Sequence, residues 1–409
     1  MKHPFRATAA LAVAAVAAAP LALVATTTAV PATAGEGPLA SSVAVDWQRT
    51  AIRTIFAETV PTPPPPVGAL YLSFTSLAVY DAAREAQRGG MHQAVAAVAT
   101  AAHDVLAQYF PGSRTALDAD LAASLALVPD GPKQAAGIRI GAAAADRMID
   151  SRVGDGRGDP SVVYAKAPGA GVWQPPQGGV MAFAWLAFVD PVVDVAPVTL
   201  DGPDPLGSAA YAQDYNEVRM VGSVASTTRT QEQTNIARFF AGNPVLTYRD
   251  ALCRYLDDEP LGLLPTTRLF ARIDAAQVTA FIATWRLKYD VGFWRPFQAI
   301  AGAATDGNPA TDPEQGWTPL VTNPSYSDYT SGHAAATAPF AEILRQTLGN
   351  DTPLTLRSGG VERSYATLSA LEHDAFHARI WGGLHFRDAM DDGYLLGHTV
   401  AGEVIEAIR

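Results

Sequence analysis

The sequence predicts an all-α protein built from packed helical bundles. Apolar residues recur at spacings of three and four positions over most of the chain, which is the period of an amphipathic helix. Alanine-rich runs favour helix, whereas the alternating pattern of β-strands is scarce. Proline and glycine clusters divide these runs into segments of helical length. We therefore expect bundles in which each helix buries one face.

The N-terminal residues have the pattern of an export signal. Lys2 and Arg6 provide positive charge, an apolar stretch runs from about Ala7 to Val24, and Ala32-Thr33-Ala34 resembles a cleavage site with small residues. A permanent membrane helix is the weaker interpretation, because a proline and a run of threonines interrupt the stretch. Residues 1–34 are therefore predicted to be the signal peptide of a secreted, extracellular protein.

Composition limits the partners of the mature chain. After the signal, no stretch approaches the roughly 20 apolar residues that a membrane helix needs, so no membrane association is expected. The net charge is −11, and removal of residues 1–34, which contain Lys2 and Arg6 but no acidic residue, changes it to −13. This acidity argues against a nucleic-acid partner. Cys253 is the only cysteine, so no intramolecular disulfide can form.

Residues 35–206 are predicted to form an N-terminal helical region. The expected helices lie within 35–60, which ends at the prolines of 61–66, within 70–127, which a Pro-Gly pair interrupts at 111–112, and at 132–151. The segment 152–206 is rich in glycine and proline, so we expect it to be irregular and to wrap over the core.

Residues 207–409 are predicted to form the catalytic helical bundle. The expected helices are 207–222, 229–241, 247–256, 275–289, 333–348, 362–378 and 387–408. Three segments of this bundle concentrate residue types that carry chemistry.

The first segment runs from Lys288 to Pro296. Lysine is rare in this chain, with four residues in total, and here Lys288 lies seven positions before Arg295 across a predicted helix end. This spacing allows both cations to converge on one point. The alternative is a solvated helix terminus with favourable charge–dipole contacts.

The second segment carries Ser331, Gly332 and His333, where a loop turns into an alanine-rich helix. Exposed N–H groups and the helix dipole favour an anion at such a position. Ser331 by itself is equally consistent with an ordinary N-cap. His333, however, lies in the first helical turn, where its imidazole is expected to face the bound group and to act as a general acid or base.

The third segment contains Arg379 and His385, on either side of a Gly-Gly pair that permits close backbone approach. The neighbouring histidines His373, His377 and His398 are expected to be ordinary surface or core residues. The three segments together combine cations, a helix start and two histidines, which is the composition of an oxyanion site in the C-terminal bundle. The carboxylate cage of a Mg²⁺ or Ca²⁺ site and the ligand cluster of a zinc site are not evident.

The three segments resemble the signature shared by vanadium-dependent haloperoxidases and type-2 phosphatidic acid phosphatases, K-x6-R-P, then P-S-G-H, then S-R-x5-H-x3-D. Here the signature reads Lys288-x6-Arg295-Pro296, Thr330-Ser331-Gly332-His333 and Ala378-Arg379-x5-His385. The stretches 171–176, 217–240 and 317–333 are also similar to secreted bacterial haloperoxidase-like proteins, and the resemblance covers roughly residues 45–405.

This resemblance implies a vanadate cofactor and a role for each matching residue. Lys288, Arg295 and Arg379 would neutralise the vanadate oxygens, helped by the Ser331 hydroxyl and the Gly332 N–H. His385 would be the vanadium ligand, and His333 would take a proton from hydrogen peroxide. The implied substrates are hydrogen peroxide, a halide and an organic acceptor, and a homodimer is compatible with the alanine-rich helical surfaces.

The sequence departs from the signature at three positions. Thr330 replaces proline, Ala378 replaces serine, and Ala389 stands where the family has an aspartate that orients the histidine. Because a residue three positions along a helix can still reach the histidine, we expect Asp388 to take over this catalytic role.

Two further functions stay open at this point. A secreted acid phosphatase could use the same pocket, with a phosphohistidine formed on His385 and a leaving group protonated by His333. A binding protein with a degenerate pocket is the third alternative, but five signature residues argue against it because all are retained: Lys288, Arg295, His333, Arg379 and His385. Full-length similarity and the aromatic residues beside the predicted ligands, Phe293, Trp294, Tyr326 and Trp381, favour the haloperoxidase.

Overall fold

The structure is a computed structural model that describes residues 38–409, with side chains described from Ser41 onward. The predicted signal peptide, residues 1–34, lies outside the described residues.

Helices dominate the described part of the chain, which confirms the predicted all-α fold. The helices are α1 (Pro38–Arg53), α2 (Pro65–Ala86), α3 (Met91–Tyr109), α4 (Arg114–Leu125), α5 (Pro132–Ser151), α6 (Ala209–Gly222), α7 (Gln231–Phe239), α8 (Pro244–Asp258), α9 (Leu263–Asp290), α10 (Pro296–Gly302), α11 (Gly332–Leu348), α12 (Leu368–Trp381) and α13 (Arg387–Ala407). One antiparallel hairpin, β1 (Leu354–Ser358) and β2 (Val361–Tyr365), lies between α11 and α12.

Two elements differ from the sequence-based prediction. The predicted helix 362–378 is wrong at its start, because 361–365 pairs with β1 as a strand and α12 begins only at Leu368. Helix α9 begins twelve residues earlier than the predicted 275. Pro265 lies in the first turn of α9, where its missing N–H costs no intrahelical hydrogen bond.

Helix α9 is central to the packing. It contacts α1, α2, α11 and α13, and its side chains from Thr266 to Phe281 are mostly buried. A buried polar network joins it to three other helices: Arg249 of α8 pairs with Asp274 of α9, and both also bind polar side chains of α1 and α2, namely Gln48 and Ser76. The helices that precede the Gly/Pro-rich segment are thereby tied to the helices that follow it.

The segment 152–206 contains only one short 3₁₀ helix, Ala184–Phe188. It lies along the C-terminal end of α9, where the N–H of Trp173 donates to the carbonyl of Gly292 and the N–H of Trp294 donates to the carbonyl of Gly171. The indole of Trp285 also donates to the carbonyl of Ala182 at 3.1 Å. These contacts hold the irregular segment over the end of the helix that carries Lys288.

Helix α13 packs closely against α11 through small residues. Gly393 faces Ala334, and Gly397 faces Ala338. Because these positions lack bulk, the start of α13 lies next to the start of α11, where two of the three motif segments meet. Within the described residues, none of the helices has the length and apolar character needed to cross a membrane.

Candidate oxyanion site

Lys288 lies in the last turn of α9 and is completely buried. Its Nζ donates to the backbone carbonyls of Ser327 at 2.9 Å and Asp328 at 2.8 Å. Burial, reinforced by the charge of Arg295, holds the pKa of Lys288 well below its ordinary value. The alternative of a solvated helix terminus is therefore wrong, since this cation is inside the protein.

Arg295 is the N-cap residue of α10 and is also fully buried. Its Nε donates to the carbonyl of Tyr326 at 2.7 Å, and its Nη1 donates to the carbonyl of Leu384 at 2.8 Å. These two bonds link the first motif segment to the other two. The remaining nitrogen, Nη2, is buried without a hydrogen-bond partner, which leaves donors available for a ligand.

Ser331 is the N-cap of α11, and its Oγ accepts a hydrogen bond from the N–H of Ala334 at 3.4 Å. Its own N–H donates to the carbonyl of Ala389. A capping serine uses its hydroxyl as an acceptor, so its hydroxyl hydrogen can still be donated. The N–H groups of Gly332 and His333 belong to the first helical turn and have no intrahelical acceptor. The N-cap and the oxyanion interpretations are thus compatible.

His333 is partly exposed in the first turn of α11, and its Nε2 is buried without a partner. Burial is the main cause that holds the pKa of His333 well below its ordinary value, and Arg379 adds to this effect. The backbone carbonyls of Gly242 and Phe240 oppose it. A neutral imidazole of this kind can accept a proton near neutral pH.

Arg379 lies near the end of α12 and is buried. Its Nη1 donates to the carbonyl of Phe240 at 3.1 Å, while its Nε is buried without a partner. Burial lowers the pKa of Arg379 to about 10. After α12 the chain turns through Gly383 at a φ of 75°, and the N–H of Leu384 returns to the carbonyl of Arg379. This tight turn brings His385 back towards the arginine.

His385 is 1% exposed and lies against a carboxyl group that the sequence analysis did not select. Its Nδ1 is 2.7 Å from Oδ1 of Asp328, which is 0% exposed, although the pair lacks the direction of a hydrogen bond. Burial lowers the pKa of His385 well below its ordinary value, and three neighbouring cations, Arg295, Lys288 and Arg379, act in the same direction. These effects outweigh the nearby carboxyl group.

The expected role of Asp388 is corrected by this geometry. Its carboxylate accepts a hydrogen bond from the N–H of Asp204 at 3.4 Å, and its own N–H donates to Asp214 at 2.7 Å. No ion pair joins Asp388 to His385 among the described residues. Helix α13 begins only at Arg387, so His385 and Asp388 do not share a helical face. The carboxyl group that lies against the His385 ring is that of Asp328, three residues before Ser331.

The other predicted residues divide between the site and its surroundings. The ring of Tyr326 lies 5.1 Å from Nζ of Lys288 and 5.0 Å from Cζ of Arg295. Thr330 is buried, and its hydroxyl lies 3.2 Å from that of Thr284. Of the remaining residues, His377 packs against His373 and Trp381. Phe293 packs against Phe386, Trp294 is buried, and His398 lies beside Glu342 and Glu372.

The electrostatics of this cluster fit an oxyanion. Three buried cations, Lys288, Arg295 and Arg379, lower the pKa of His385 together, while Asp328 is the carboxyl group within contact distance of that ring. Burial raises the pKa of Asp328 to about 7, against the effect of Arg295 and Lys288. Buried charges are costly unless they are paired. The unpartnered nitrogens of Arg295, Arg379 and His333 therefore match the oxygens of a phosphate-like or vanadate-like anion.

Part of the chain matches a known protein family. Residues 268–409 match the family model described as the VCPO second helical-bundle domain, and these residues include all seven predicted ligands. A comparison with curated protein sequences returned no significant match.

Three solved bacterial structures share the fold at low sequence identity. The first bacterial vanadium-dependent iodoperoxidase is 18% identical with a TM-score of 0.67, over 91% of this chain and 97% of that one. An apo-type bacterial vanadium-dependent chloroperoxidase is 16% identical with a TM-score of 0.68, over 86% and 95%. The holo-type bacterial chloroperoxidase is also 16% identical with a TM-score of 0.66, over 88% and 96%.

These structural likenesses establish the fold, and the family match covers the part of the chain that contains the oxyanion site. Residues 268–409 match the second helical-bundle domain of the VCPO family, and the chain shares its fold with three solved bacterial vanadium-dependent peroxidases.

Proposed function

We propose that this protein is a vanadium-dependent haloperoxidase, which oxidises a halide with hydrogen peroxide and passes the oxidised halogen to an organic acceptor. The observation that carries the proposal is the set of three buried cations, of which Arg295 and Arg379 each keep a guanidinium nitrogen without a hydrogen-bond partner. Such a set suits a multiply charged oxyanion. Vanadate is such an oxyanion, and the three solved structures that share this fold are described as vanadium-dependent peroxidases.

The residues that would hold vanadate are Lys288, Arg295 and Arg379 through their charges, and Ser331 and Gly332 through their hydroxyl and N–H. His385 would bind the metal through a ring nitrogen. When bound, vanadate supplies a Lewis-acidic centre that activates hydrogen peroxide towards attack by a halide. The fixed donors are already oriented before the reaction, so they stabilise developing negative charge without reorganisation.

His333 is the proposed general base. Its pKa is held below the ordinary value by burial and by Arg379, so the ring is neutral at neutral pH and can accept the first proton of hydrogen peroxide. Its position in the first turn of α11 brings it beside the same N–H groups that would bind the oxyanion. Export through residues 1–34 and homodimer formation also belong to the proposal.

The test is a halogenation assay with the purified mature protein. Orthovanadate and hydrogen peroxide are supplied with chloride, bromide or iodide, and halogenation is followed with monochlorodimedone or, for iodide, as triiodide. We expect vanadate-dependent turnover that disappears in His385→Ala. The matched control is His373→Ala, since His373 is an exposed histidine of α12 and its loss should leave turnover unchanged.

The same preparation separates the haloperoxidase from the phosphatase. Hydrolysis of p-nitrophenyl phosphate that vanadate inhibits, with no halogenation from any of the three halides, would contradict the proposal. That outcome would assign the pocket to phosphoryl transfer through His385.

A further inference from the structure

We propose that Asp328 is the positioning residue of His385, in place of the aspartate that the family signature has four residues after the histidine. Here that signature position is Ala389, whose methyl group cannot orient a ring. The inference rests on the proposed function only in taking His385 as the residue that meets the oxyanion. The orientation of the imidazole itself is a property of the protein alone.

The first argument is proximity within a closed environment. Oδ1 of Asp328 lies 2.7 Å from Nδ1 of His385, and both side chains are excluded from solvent. The pair lacks the direction of a hydrogen bond, so the contact acts through charge, and burial strengthens it because water does not compete. The N–H of Phe386 faces the same carboxyl group, so Asp328 contacts two successive residues of the segment that leads into α13.

The second argument is the rigidity of the backbone around Asp328. Its N–H donates to the carbonyl of Phe293 at 2.9 Å, and its carbonyl accepts from Nζ of Lys288 at 2.8 Å. Ser331, three residues later, is held by its N–H bond to the carbonyl of Ala389. The K-x6-R segment and α13 therefore fix the loop from both sides, as a positioning residue requires.

The third argument is that the competing carboxylate is engaged elsewhere. Asp388 accepts from the N–H of Asp204, and Asp214 accepts from the N–H of Asp388. These bonds tie Asp388 to α6 and to the segment that precedes it, and no ion pair joins Asp388 to His385 among the described residues.

The chemical consequence concerns the tautomer of His385. A carboxylate beside Nδ1 favours the proton on that nitrogen, which leaves the lone pair of Nε2 free for a metal or a phosphorus atom. Partners of this kind typically change the affinity of a ligand-bound site by 10–100-fold when they are removed.

The experiment compares the wild-type mature protein with Asp328→Asn and Asp328→Glu at pH 8. Long-range ¹⁵N–¹H NMR of histidine-labelled protein reports the tautomer, and His385→Gln identifies the signal. In the wild type we expect the proton of His385 on Nδ1. In D328N we expect a change in the tautomer signal and a loss of orthovanadate affinity of about 10–100-fold, measured by equilibrium dialysis.

Two control variants, Asp328→Glu and Asp388→Asn, keep the test decisive. D328E retains a carboxylate, so it should retain the wild-type tautomer and affinity better than D328N, which separates loss of the carboxylate from a disturbed loop. An unchanged tautomer and affinity in D328N would overturn the inference, as would losses confined to Asp388→Asn. If the wild type binds no vanadate, the proposed function fails, but the tautomer signals still decide the role of Asp328.

Discussion

Gly383 and Gly222 meet backbone to backbone, so closely that a β-carbon on Gly383 would lie 2.6 Å from the carbonyl oxygen of Gly222. This contact fixes the turn between α12 and α13 against the end of α6. Because Arg379 precedes that turn and His385 follows it, the contact sets the distance between two of the proposed ligands.

Gly383→Ala should therefore impair both stability and binding. The residue has a φ of 75°, where an alanine is strained by about 1–3 kcal/mol, and the added carbon meets backbone atoms that cannot move aside. We expect a lower Tm and weaker orthovanadate binding, measured by thermal unfolding and equilibrium dialysis. Gly402→Ala is the matched control, because a β-carbon there meets no atom within 4 Å. Equal behaviour of the two variants would contradict this interpretation.

Arg379→Met should abolish stabilisation by oxyanions with little effect on the ligand-free protein. The substitution removes one hydrogen bond, to the carbonyl of Phe240, and a buried cation whose pKa is lowered by burial. A hydrogen bond to a charged group contributes about 1.5–3 kcal/mol, which corresponds to an affinity loss of about 10–150-fold. The check is the Tm with and without orthovanadate, and an undiminished shift in the variant would show that Arg379 does not bind the anion.

Oxyanion affinity should decrease as the pH rises. Lys288 and the two site histidines, His333 and His385, have pKa values below their ordinary ranges in the free protein. A bound anion favours their charged forms, so binding takes up protons and is lost as the pH rises through the free-state pKa values. Sulfate is the appropriate ligand, since its charge does not change in this range. Calorimetry in buffers of different ionisation enthalpy measures the uptake, and an affinity independent of pH would exclude it.

His103 should stabilise the N-terminal helices in a pH-dependent manner. Its ring lies between Asp104 at 2.7 Å and Asp118 at 2.8 Å, and the hydrogen bond to Asp104 is the main cause of its raised pKa. A raised folded-state pKa gives stability that is complete below the unfolded value of about 6.5 and is lost as the pH rises through the folded value. The difference in Tm between the wild type and His103→Gln should thus shrink with increasing pH. A constant difference would argue against a charged His103.

The buried pair of Arg249 and Asp274 should be essential for folding. Asp274→Ala leaves a guanidinium inside the protein without a carboxylate, where Gln48 and the ring of Phe270 still contact it, and the expected loss is about 3–5 kcal/mol. Urea unfolding measures this loss. Combining Asp274→Ala with Arg249→Met should cost less than the sum of the two single changes. Additive effects would show that the pair acts as two independent side chains.

Most helices could be predicted from the sequence because a helix is determined by residues three and four positions apart. Where this failed, a non-local contact was responsible. Residues 361–365 form a strand rather than a helix because they pair with β1 across the turn. The early start of α9 is compatible with Pro265 because this proline lies in the first turn, whereas a proline in the interior of a helix would break it.

The same distinction between local sequence patterns and non-local contacts applies to the site. The sequence motifs predict seven site residues, because each motif is a short local pattern of charge, cap and turn residues: Lys288, Arg295, Ser331, Gly332, His333, Arg379 and His385. The folded structure was needed to show that the cations are buried rather than solvated, and that Asp328 rather than Asp388 lies against His385. The physical reason is that burial and the partner of a side chain depend on which segments pack together. The loop before α11 and the loop before α13 are far apart in the sequence and meet only in the folded bundle.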